Sequence, residues 1–382
     1  MGLISSTGSE KKCKDKEKEI ATLKEQIQEQ TICIQLLKNE NRILRNAQMG
    51  NLNYQEILKE INNTKTKHDY EYLVFSGGGI KGISFAGVIE ELHKLNIIYS
   101  ETGEFKLKGI AGTSAGSIIA SLLAVGYTPQ ELIDVMSNID YEKIVDDKLG
   151  YLRDTYNFLE DWGICPGNYA QDLLGDLINK KTGNPDYTIE QLYNDKKIKL
   201  VIVTTDANYS KSIYLYAGNP IKEYSNIPIR LAVRMSIGIP FVFEPYHYND
   251  SYFVDGGVLD NYPLHVFDGE YPGDVKARLN LCIPNPKVLG VKLMTDDEQL
   301  NYDISNKQSF AGLFDYAVSF VHTFLTENDR RIMTPIFWER SIIVITPNYS
   351  ITKYDITSDE KIQMINIGRK CTITFFANDQ NI

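Results

Sequence analysis

A serine between two glycines is the first candidate for chemistry in this chain of 382 residues. Ser114 is the central residue of the Gly-Thr-Ser-Ala-Gly stretch at 112–116, which separates an apolar predicted strand from an apolar predicted helix. Gly112 and Gly116 would permit the tight turn, or elbow, that lifts a serine hydroxyl above a sheet as a nucleophile. The alternative is a serine that only caps the helix, with glycines that allow close packing.

A glycine-rich loop precedes this serine, again between a predicted strand and a predicted helix. Its residues are Gly77, Gly78, Gly79, Ile80, Lys81 and Gly82. Backbone N–H groups can converge in such a loop and bind a phosphate or the oxyanion of a tetrahedral intermediate. The spacing also fits a dinucleotide fingerprint, but residues 109–113, where the second predicted strand ends, lack the acid that it requires. Lys81 could hold a phosphate, although a solvated side chain at a helix start is favoured.

An aspartate could supply the base that such a serine needs. Asp255 ends a short predicted strand and is followed by Gly256 and Gly257. A carboxylate beside a serine hydroxyl can orient it and accept its proton, whereas an Asp-Gly pair alone is more often an ordinary turn. His247 and His265 flank this strand, so a histidine-assisted triad is the alternative mechanism.

Taken in order along the chain, these motifs resemble those of the patatin-like phospholipase family. Residues 234–240 (RMSIGIP) are similar to the R-x-S-x-A-x-P segment that this family carries before its D-G-G, with Gly238 where Ala is usual. Asn261 and Pro263 after the D-G-G also match. The resemblance covers about residues 70–265.

The resemblance implies a serine–aspartate dyad that needs neither a metal nor an organic cofactor. It assigns Ser114 as the nucleophile, Asp255 as the base, and the backbone of residues 77–82 as the oxyanion hole. The implied activity is hydrolysis of fatty-acyl esters, as by a phospholipase A or a lysophospholipase, through an acyl-enzyme. The competing class is a non-catalytic, membrane-associated scaffold that only binds lipid, but a degenerate site would be expected to lack one of the two side chains.

The hydrophobic pattern predicts alternating strands and helices around these motifs. Strands are predicted at 71–75, 105–111, 199–205 and 341–346, and helices at 84–95, 115–125, from Pro129 onward and at 311–333. Strands joined by crossover helices indicate an α/β fold with a mostly parallel, helix-covered central sheet in three layers. We therefore expect a catalytic domain over 68–270 and an extension over 271–382 that packs on it.

The first fifty residues have a different pattern. A heptad that starts at Ile20 has six of eight core positions apolar, with Asn41 at an a position. This pattern predicts a parallel, homodimeric coiled coil over 14–48, and the alternative is a single amphipathic helix packed on the catalytic domain. Residues 1–13 are expected to be a flexible terminus, and residues 49–67 a linker with one short helical stretch.

Composition and termini restrict the setting. The net charge of −10 argues against nucleic acid, and five scattered cysteines without CxxC pairs favour reduced thiols inside a cell over a disulfide framework or a metal site. No apolar run is long enough to span a bilayer. The first six residues fit the N-myristoylation signal on Gly2, which could instead be a chance match. We expect a cytoplasmic protein that associates peripherally with a membrane surface.

Overall fold

The computed structural model describes residues 54–145, 162–295, 316–321, 323, 333–350 and 353–377. The chain divides into two units, Met1–Gln55 and Glu56–Ile382, and almost all described residues belong to the second. The predicted terminus at 1–13, with Gly2, and the predicted coiled coil at 14–48 lie outside the described residues. They stay predictions.

The second unit alternates strands with helices along most of its length. The strands are β1 (Tyr72–Phe75), β2 (Gly109–Thr113), β3 (Gly163–Cys165), β4 (Lys199–Asp206), β5 (Lys211–Leu215), β6 (Phe241–Phe243), β7 (Tyr246–Tyr248), β8 (Ser251–Asp255), β9 (Val288–Thr295) and β10 (Ser341–Thr346). The helices are α1 (Tyr54–Lys67), α2 (Ser84–Lys94), α3 (Ala115–Val125), α4 (Pro129–Asn138), α5 (Asn168–Thr182), α6 (Ile189–Lys196), α7 (Lys222–Ser225), α8 (Ile229–Ser236), α9 (Gly257–Asp260), α10 (Val275–Arg278), α11 (Pro335–Glu339) and α12 (Ser358–Ala377). Residues 316–321, within the helix predicted at 311–333, are also helical.

The central sheet has a parallel core with an antiparallel addition. Strands β10, β9, β1, β2 and β4 lie side by side and parallel, whereas β5 and β8 pair antiparallel with β4, and β7 pairs antiparallel with β8. A separate pair is formed by β3 and β6. The predicted α/β class with a mostly parallel sheet is confirmed.

Both faces of the parallel part of this sheet are covered, which explains why its five parallel strands are buried almost throughout. On β1, Leu73 and Phe75 face one core, which α2, α3 and α12 complete, while Val74 faces the other. The second core is completed by Tyr262 and Leu264 from the segment after α9 and by Phe337 of α11. The sheet therefore lies as the middle of three layers.

The second strand differs from its predicted range. It was expected at 105–111 but runs from Gly109 to Thr113. Phe105 instead forms an isolated antiparallel bridge with Tyr99, and their rings pack edge to face with centroids 5.3 Å apart. The apolar residues before Gly109 thus belong to the hairpin-like turn that Tyr99 and Phe105 close, which precedes the strand.

Residues beyond 271 contribute to the same sheet and to one of its covering layers. Strand β9 pairs with β1 and with β10, and α12 packs across α2. The two helices approach so closely that a Cβ atom at Gly87 would overlap the carbonyl of Ile365, and one at Gly368 would overlap the carbonyl of Ser84. Residues 54–67, predicted as part of a linker, form the continuous helix α1, in which Ile57 is buried.

Candidate active site

Ser114 occupies a strained turn between β2 and α3. Its φ and ψ angles are 51° and −124°, a region that non-glycine residues rarely adopt and that is enriched at functional sites. A Cβ atom at Gly112 would overlap the backbone of Gly116, and one at Gly116 would overlap the carbonyl of Phe75 on β1. Both positions must therefore be glycine for the turn to close against the neighbouring strand.

The sheet register brings Asp255 to this turn. On β4, Val203 pairs with Thr113 of β2, and the next residue, Thr204, pairs with Asp255 of β8. Because β5 occupies the other edge of β4 at these positions, β2 and β8 share one edge and meet end to end. The residue that follows Thr113 therefore faces the last residue of β8.

The two side chains are in direct contact. The Ser114 hydroxyl donates a hydrogen bond of 2.6 Å to Oδ2 of Asp255, and the backbone N–H of Gly257 donates to Oδ1 at 2.7 Å. Asp255 is only 2% exposed. Gly256 is required here too, because a Cβ atom at this position would overlap the carbonyl of Val203 on β4. The glycines after the aspartate thus set both its packing and one of its hydrogen bonds.

The electrostatic setting of Asp255 suits a base that works near neutral pH. Burial raises the pKa of this carboxyl group to about 7, and the hydrogen bonds from Ser114 and from the Gly257 backbone oppose that rise. A general base is most effective when its pKa lies near the working pH. The carboxyl group of Asp255 meets this condition, which an exposed aspartate would not.

The glycine loop lies beside Ser114. The backbone N–H of Gly77 donates to the carbonyl of Asn261 at 2.9 Å, and a Cβ atom at Gly77 would lie 3.1 Å from Cβ of Ser114. Gly78 packs against Leu293 so closely that a Cβ atom there would overlap that side chain. Gly79, with φ of 57°, begins a helical turn, and the first N–H groups of such a turn have no acceptor within it.

The remaining loop residues point inward. Ile80, Lys81 and Gly82 are buried, and Gly82 approaches Ala115 of α3. The expectation of a solvated Lys81 is wrong, since only 7% of this residue is exposed. The loop packs tightly between the sheet and α3, and this packing excludes water from the long lysine side chain.

Ser236 is a residue whose contact with Ser114 the sequence did not indicate. Its hydroxyl accepts a hydrogen bond from the Ser114 backbone N–H at 2.9 Å and donates one to the carbonyl of Val203 at 2.6 Å. The carbonyl of Gly238 accepts the N–H of Asp255 at 2.8 Å. The segment 234–240 therefore forms hydrogen bonds with the backbone of both Ser114 and Asp255. In the sequence, the only indication that this segment belongs to the site was its similarity to the family motif.

Neither flanking histidine joins the pair. The His265 ring nitrogen Nε2 lies 3.0 Å from Oδ2 of Asp260, a different carboxylate that also accepts the Tyr214 hydroxyl at 2.7 Å. His247 is exposed and packs against the ring of Tyr252. Among the described residues, no imidazole contacts Ser114 or Asp255, so the geometry favours the dyad over the triad.

Two further features of the described ranges concern cofactors and membranes. Within them, no group of three or more His, Cys, Asp or Glu side chains is placed to hold a metal ion. None of the helices described is both long and apolar enough to cross a bilayer.

The fold and the site together define an α/β protein with a serine in a strained strand-to-helix turn and a buried aspartate as its hydrogen-bond partner. The chain belongs to the patatin-like phospholipase family, whose model matches residues 73–268, about half of the chain. This membership supports lipid hydrolase activity in general.

Individual relatives agree with this membership. The chain is 28% identical to the uncharacterized protein YqhO of Bacillus subtilis, over 79% of this chain and 96% of that protein. It is 30% identical to a probable lipid hydrolase of Invertebrate iridescent virus 6, over 52% of this chain and 63% of that protein, and 22% identical to a cGAMP-activated phospholipase of Escherichia coli, over 81% and 90%. The crystal structure of VipD from Legionella pneumophila has a similar fold, with a TM-score of 0.50, 19% identity, and coverage of 81% of this chain and 67% of that one.

Proposed function

We propose that this protein hydrolyses fatty-acyl esters of phospholipids through an acyl-enzyme on Ser114, with Asp255 as the general base. The observation that carries the proposal is the hydrogen bond of 2.6 Å between the Ser114 hydroxyl and a carboxylate that is almost fully buried. The relatives named as a lipid hydrolase and as a phospholipase support the substrate class.

The reaction proceeds in two halves. In the first, Asp255 takes the hydroxyl proton as the Ser114 oxygen attacks the ester carbonyl. The tetrahedral intermediate then collapses, and the departing alcohol, a lysophospholipid, receives the proton from Asp255. In the second half, Asp255 takes a proton from water, the hydroxide attacks the acyl-enzyme, and the fatty acid leaves as the proton returns to Ser114.

The oxyanion of each intermediate requires donors beside Ser114. The backbone N–H groups around Gly78, Gly79 and Ile80 suit this role, because the loop passes the nucleophile at Gly77 and begins a helical turn at Gly79. One such donor is typically worth ~10²–10³ in rate. Ser236 acts as a positioning residue here, since it holds the backbone of Ser114 in the strained turn.

The alternative, a scaffold that binds lipid without hydrolysing it, is less consistent with the site. A serine in a strained turn costs stability of order 1–3 kcal/mol, and a buried carboxyl group with a raised pKa adds a further cost above its ordinary pKa. A pure binding protein gains nothing from either feature, whereas a hydrolase needs both.

The direct test is covalent labelling followed by product analysis. A fluorophosphonate probe should label the wild-type protein, and Ser114→Ala should abolish the labelling. Ser121→Ala is the matched control, because this serine is buried on the same helix α3 and should leave the labelling intact. Phosphatidylcholine labelled separately in each acyl chain then identifies the ester bond that is cut. Labelling of the Ser114→Ala variant, or no hydrolysis by the labelled wild type, would contradict the proposal.

The proposal includes peripheral attachment to membranes, with Gly2 myristoylated and residues 14–48 forming a homodimer. One myristoyl chain binds membranes only weakly, so two chains held in parallel would act by avidity. Vesicle flotation of protein made in myristoylating cells should weaken for Gly2→Ala and for a deletion of 14–48. Equal flotation of Gly2→Ala and the parent, or a monomer by light scattering at micromolar concentration, would refute the corresponding part.

A further inference from the structure

Strand β8 extends from the active site toward the carboxyl edge of the parallel strands. Asp255 opposes Thr204 of β4, and Phe253 opposes Asp206 at the end of β4. The backbone N–H of Ala207 then donates to the carbonyl of Tyr252 at 2.8 Å. Tyr252 therefore lies three residues, or ~10 Å, beyond Asp255 and on the side away from β2.

A second tyrosine is held at the same edge by the turn between β4 and β5. Oδ1 of Asp206 accepts the backbone N–H groups of Asn208 at 2.9 Å and of Tyr209 at 3.1 Å. The Asn208 side chain in turn accepts the backbone N–H of Tyr252 at 2.8 Å. This well-bonded turn presents Tyr209 to solvent, with 70% of the residue exposed.

A tryptophan completes the group. The Trp162 ring packs edge to face on Tyr252, with centroids 5.1 Å apart, and 54% of this residue is exposed. His247 lies directly opposite Tyr252 on the neighbouring strand β7, and its ring packs against the Tyr252 ring. Trp162, Tyr209 and Tyr252, which we name the aromatic rim, thus stand at the edge of the sheet where the dyad is found.

The chemistry of the aromatic rim fits a lipid surface. Tryptophan and tyrosine combine an apolar ring with one polar atom and are the residues enriched at the boundary between bilayer and water. Among the residues that the structure describes around the rim, the exposed charged side chains are balanced in sign: Lys211, Lys222, Glu223 and Asp250. A balanced surface complements zwitterionic head groups and has no preference for an anionic membrane.

We propose that the aromatic rim seats the protein on a zwitterionic phospholipid bilayer, with the Ser114–Asp255 dyad facing the membrane. This inference rests on the proposed function, because it explains how a buried nucleophile meets a substrate that resides in a bilayer. The side chains of the aromatic rim enter the head-group region. Asp255 then lies ~10 Å from that region, which is the distance along β8 from Tyr252 to Asp255.

The first test uses the two tryptophans of the chain, Trp162 and Trp338. Trp338 precedes β10, and parallel strands begin at the edge opposite to the dyad, so Trp338 reports on the far side of the sheet. In Trp338→Phe, the emission of Trp162 should shift to the blue on addition of phosphatidylcholine vesicles and be quenched by brominated lipid. In Trp162→Phe, the emission of Trp338 should not change. A response from Trp338, or none from Trp162, would overturn the proposal, and the assay needs no catalytic activity.

The second test separates docking from catalysis. Trp162→Ala, Tyr209→Ala and Tyr252→Ala should each lower the ratio of phosphatidylcholine-vesicle hydrolysis to hydrolysis of a soluble short-chain ester by about tenfold or more, because each removes apolar area from the interface. Trp338→Ala is the matched control and should keep the ratio of the wild type. Vesicle binding should change by less than about twofold between ~0.05 M and ~0.5 M salt.

The outcomes distinguish the two proposals. If the wild type binds vesicles through Trp162 but hydrolyses neither substrate, the proposed function fails and the docking surface stands. If the wild type hydrolyses both substrates and the rim variants keep the wild-type ratio, the docking surface fails and the proposed function stands. Vesicle binding that requires anionic lipid and is lost at high salt would also contradict the proposed docking surface. So would an aromatic rim that binds a protein partner but does not bind vesicles.

Discussion

Two aspartates five residues apart, Asp255 and Asp260, show how one buried segment creates two opposite electrostatic sites. Each is 2% exposed, and each accepts a hydrogen bond from a hydroxyl group, of Ser114 in one case and of Tyr214 in the other. Yet the pKa of Asp255 is raised to about 7, whereas the pKa of Asp260 is lowered.

The difference comes from the charge of the partners. Burial raises the pKa of both carboxyl groups, but at Asp260 the electrostatic attraction and hydrogen bond of His265, the Tyr214 hydroxyl and the charge of Arg278 outweigh it. At Asp255 only neutral donors oppose burial. A carboxylate that keeps a charged partner stays ionised and structural, whereas one with neutral partners can exchange a proton near pH 7.

The largest expected effect distinguishes the two aspartates directly. Asp255→Asn should lower kcat/KM at least ~10³-fold, since in the proposed mechanism it removes the base that accepts the Ser114 proton. Asp260→Asn should cost less than ~10-fold, because its contacts to the active site are made by backbone groups: its carbonyl accepts the Thr113 hydroxyl and its N–H donates to the Gly256 carbonyl. Steady-state kinetics of both folded variants on a soluble ester measure this. Equal losses would mean that the two carboxylates share one role.

The pH dependence of the wild-type enzyme is the next largest effect. In the proposed mechanism Asp255 must be ionised to act as the base, so kcat/KM should rise with pH along a limb centred at about 7 and should fall roughly tenfold for each pH unit below it. A pH–rate profile with a soluble ester checks this. A limb near pH 4, the ordinary range of an aspartate, would show that Asp255 does not act as the base with the raised pKa described here.

Removing the His265 ring from Asp260 should affect stability more than activity. His265→Ala removes one of the hydrogen-bond partners of the buried Asp260 carboxylate, and such a loss at a buried charged group typically costs about 3 kcal/mol or more of unfolding free energy. The rate per folded molecule should stay within ~10-fold of the wild type, because the His265 ring bonds to Asp260 and not to the dyad. Urea denaturation and kinetics on the same preparation measure both quantities, and His247→Ala, at an exposed site, is the control. A loss of more than ~10³-fold in rate would restore the triad.

Much of the candidate site could be predicted from the sequence, because its motifs lie where strands end. Gly77, Ser114 and Asp255 each follow or end a strand, and a run of glycines at such a point leaves few alternatives to a tight turn or a nest of N–H groups. The contact between Ser114 and Asp255 depends, however, on β8 meeting β2 along one edge of β4. That pairing joins residues 141 positions apart, and no local pattern encodes it.

Other parts of the fold had no comparable signal. Strand β9 lies between β1 and β10, but its sequence includes Gly290 and Lys292, which weaken the apolar pattern of a buried strand. Both are explained only by tertiary contacts: Gly290 leaves room for the Tyr262 ring, and the Lys292 ammonium group lies over that same ring. The role of Ser236, at the end of an ordinary amphipathic helix, likewise depends on what the fold places beside it.

The smallest predicted effect concerns stability and tests the origin of the raised pKa. A carboxyl group whose pKa rises on folding stabilises the protein most below its unfolded pKa of about 4, and this contribution is lost as pH rises from about 4 to about 7. Asp255→Asn cannot lose it, so the unfolding free energy of this variant relative to the wild type should increase between pH 4 and pH 8, by roughly 2–4 kcal/mol. Other titrating groups cancel in that difference.

Ser114→Ala provides the second half of this test, since it keeps the carboxylate but removes a hydrogen bond that lowers its pKa. The pKa of Asp255 should rise further in this variant, so the loss of stability should extend to a higher pH than in the wild type. Urea denaturation of the three proteins at several pH values measures both effects. A constant difference between Asp255→Asn and the wild type across this range would mean that the carboxyl group titrates normally when buried, and the contrast between the two aspartates would then have to come from Asp260 alone.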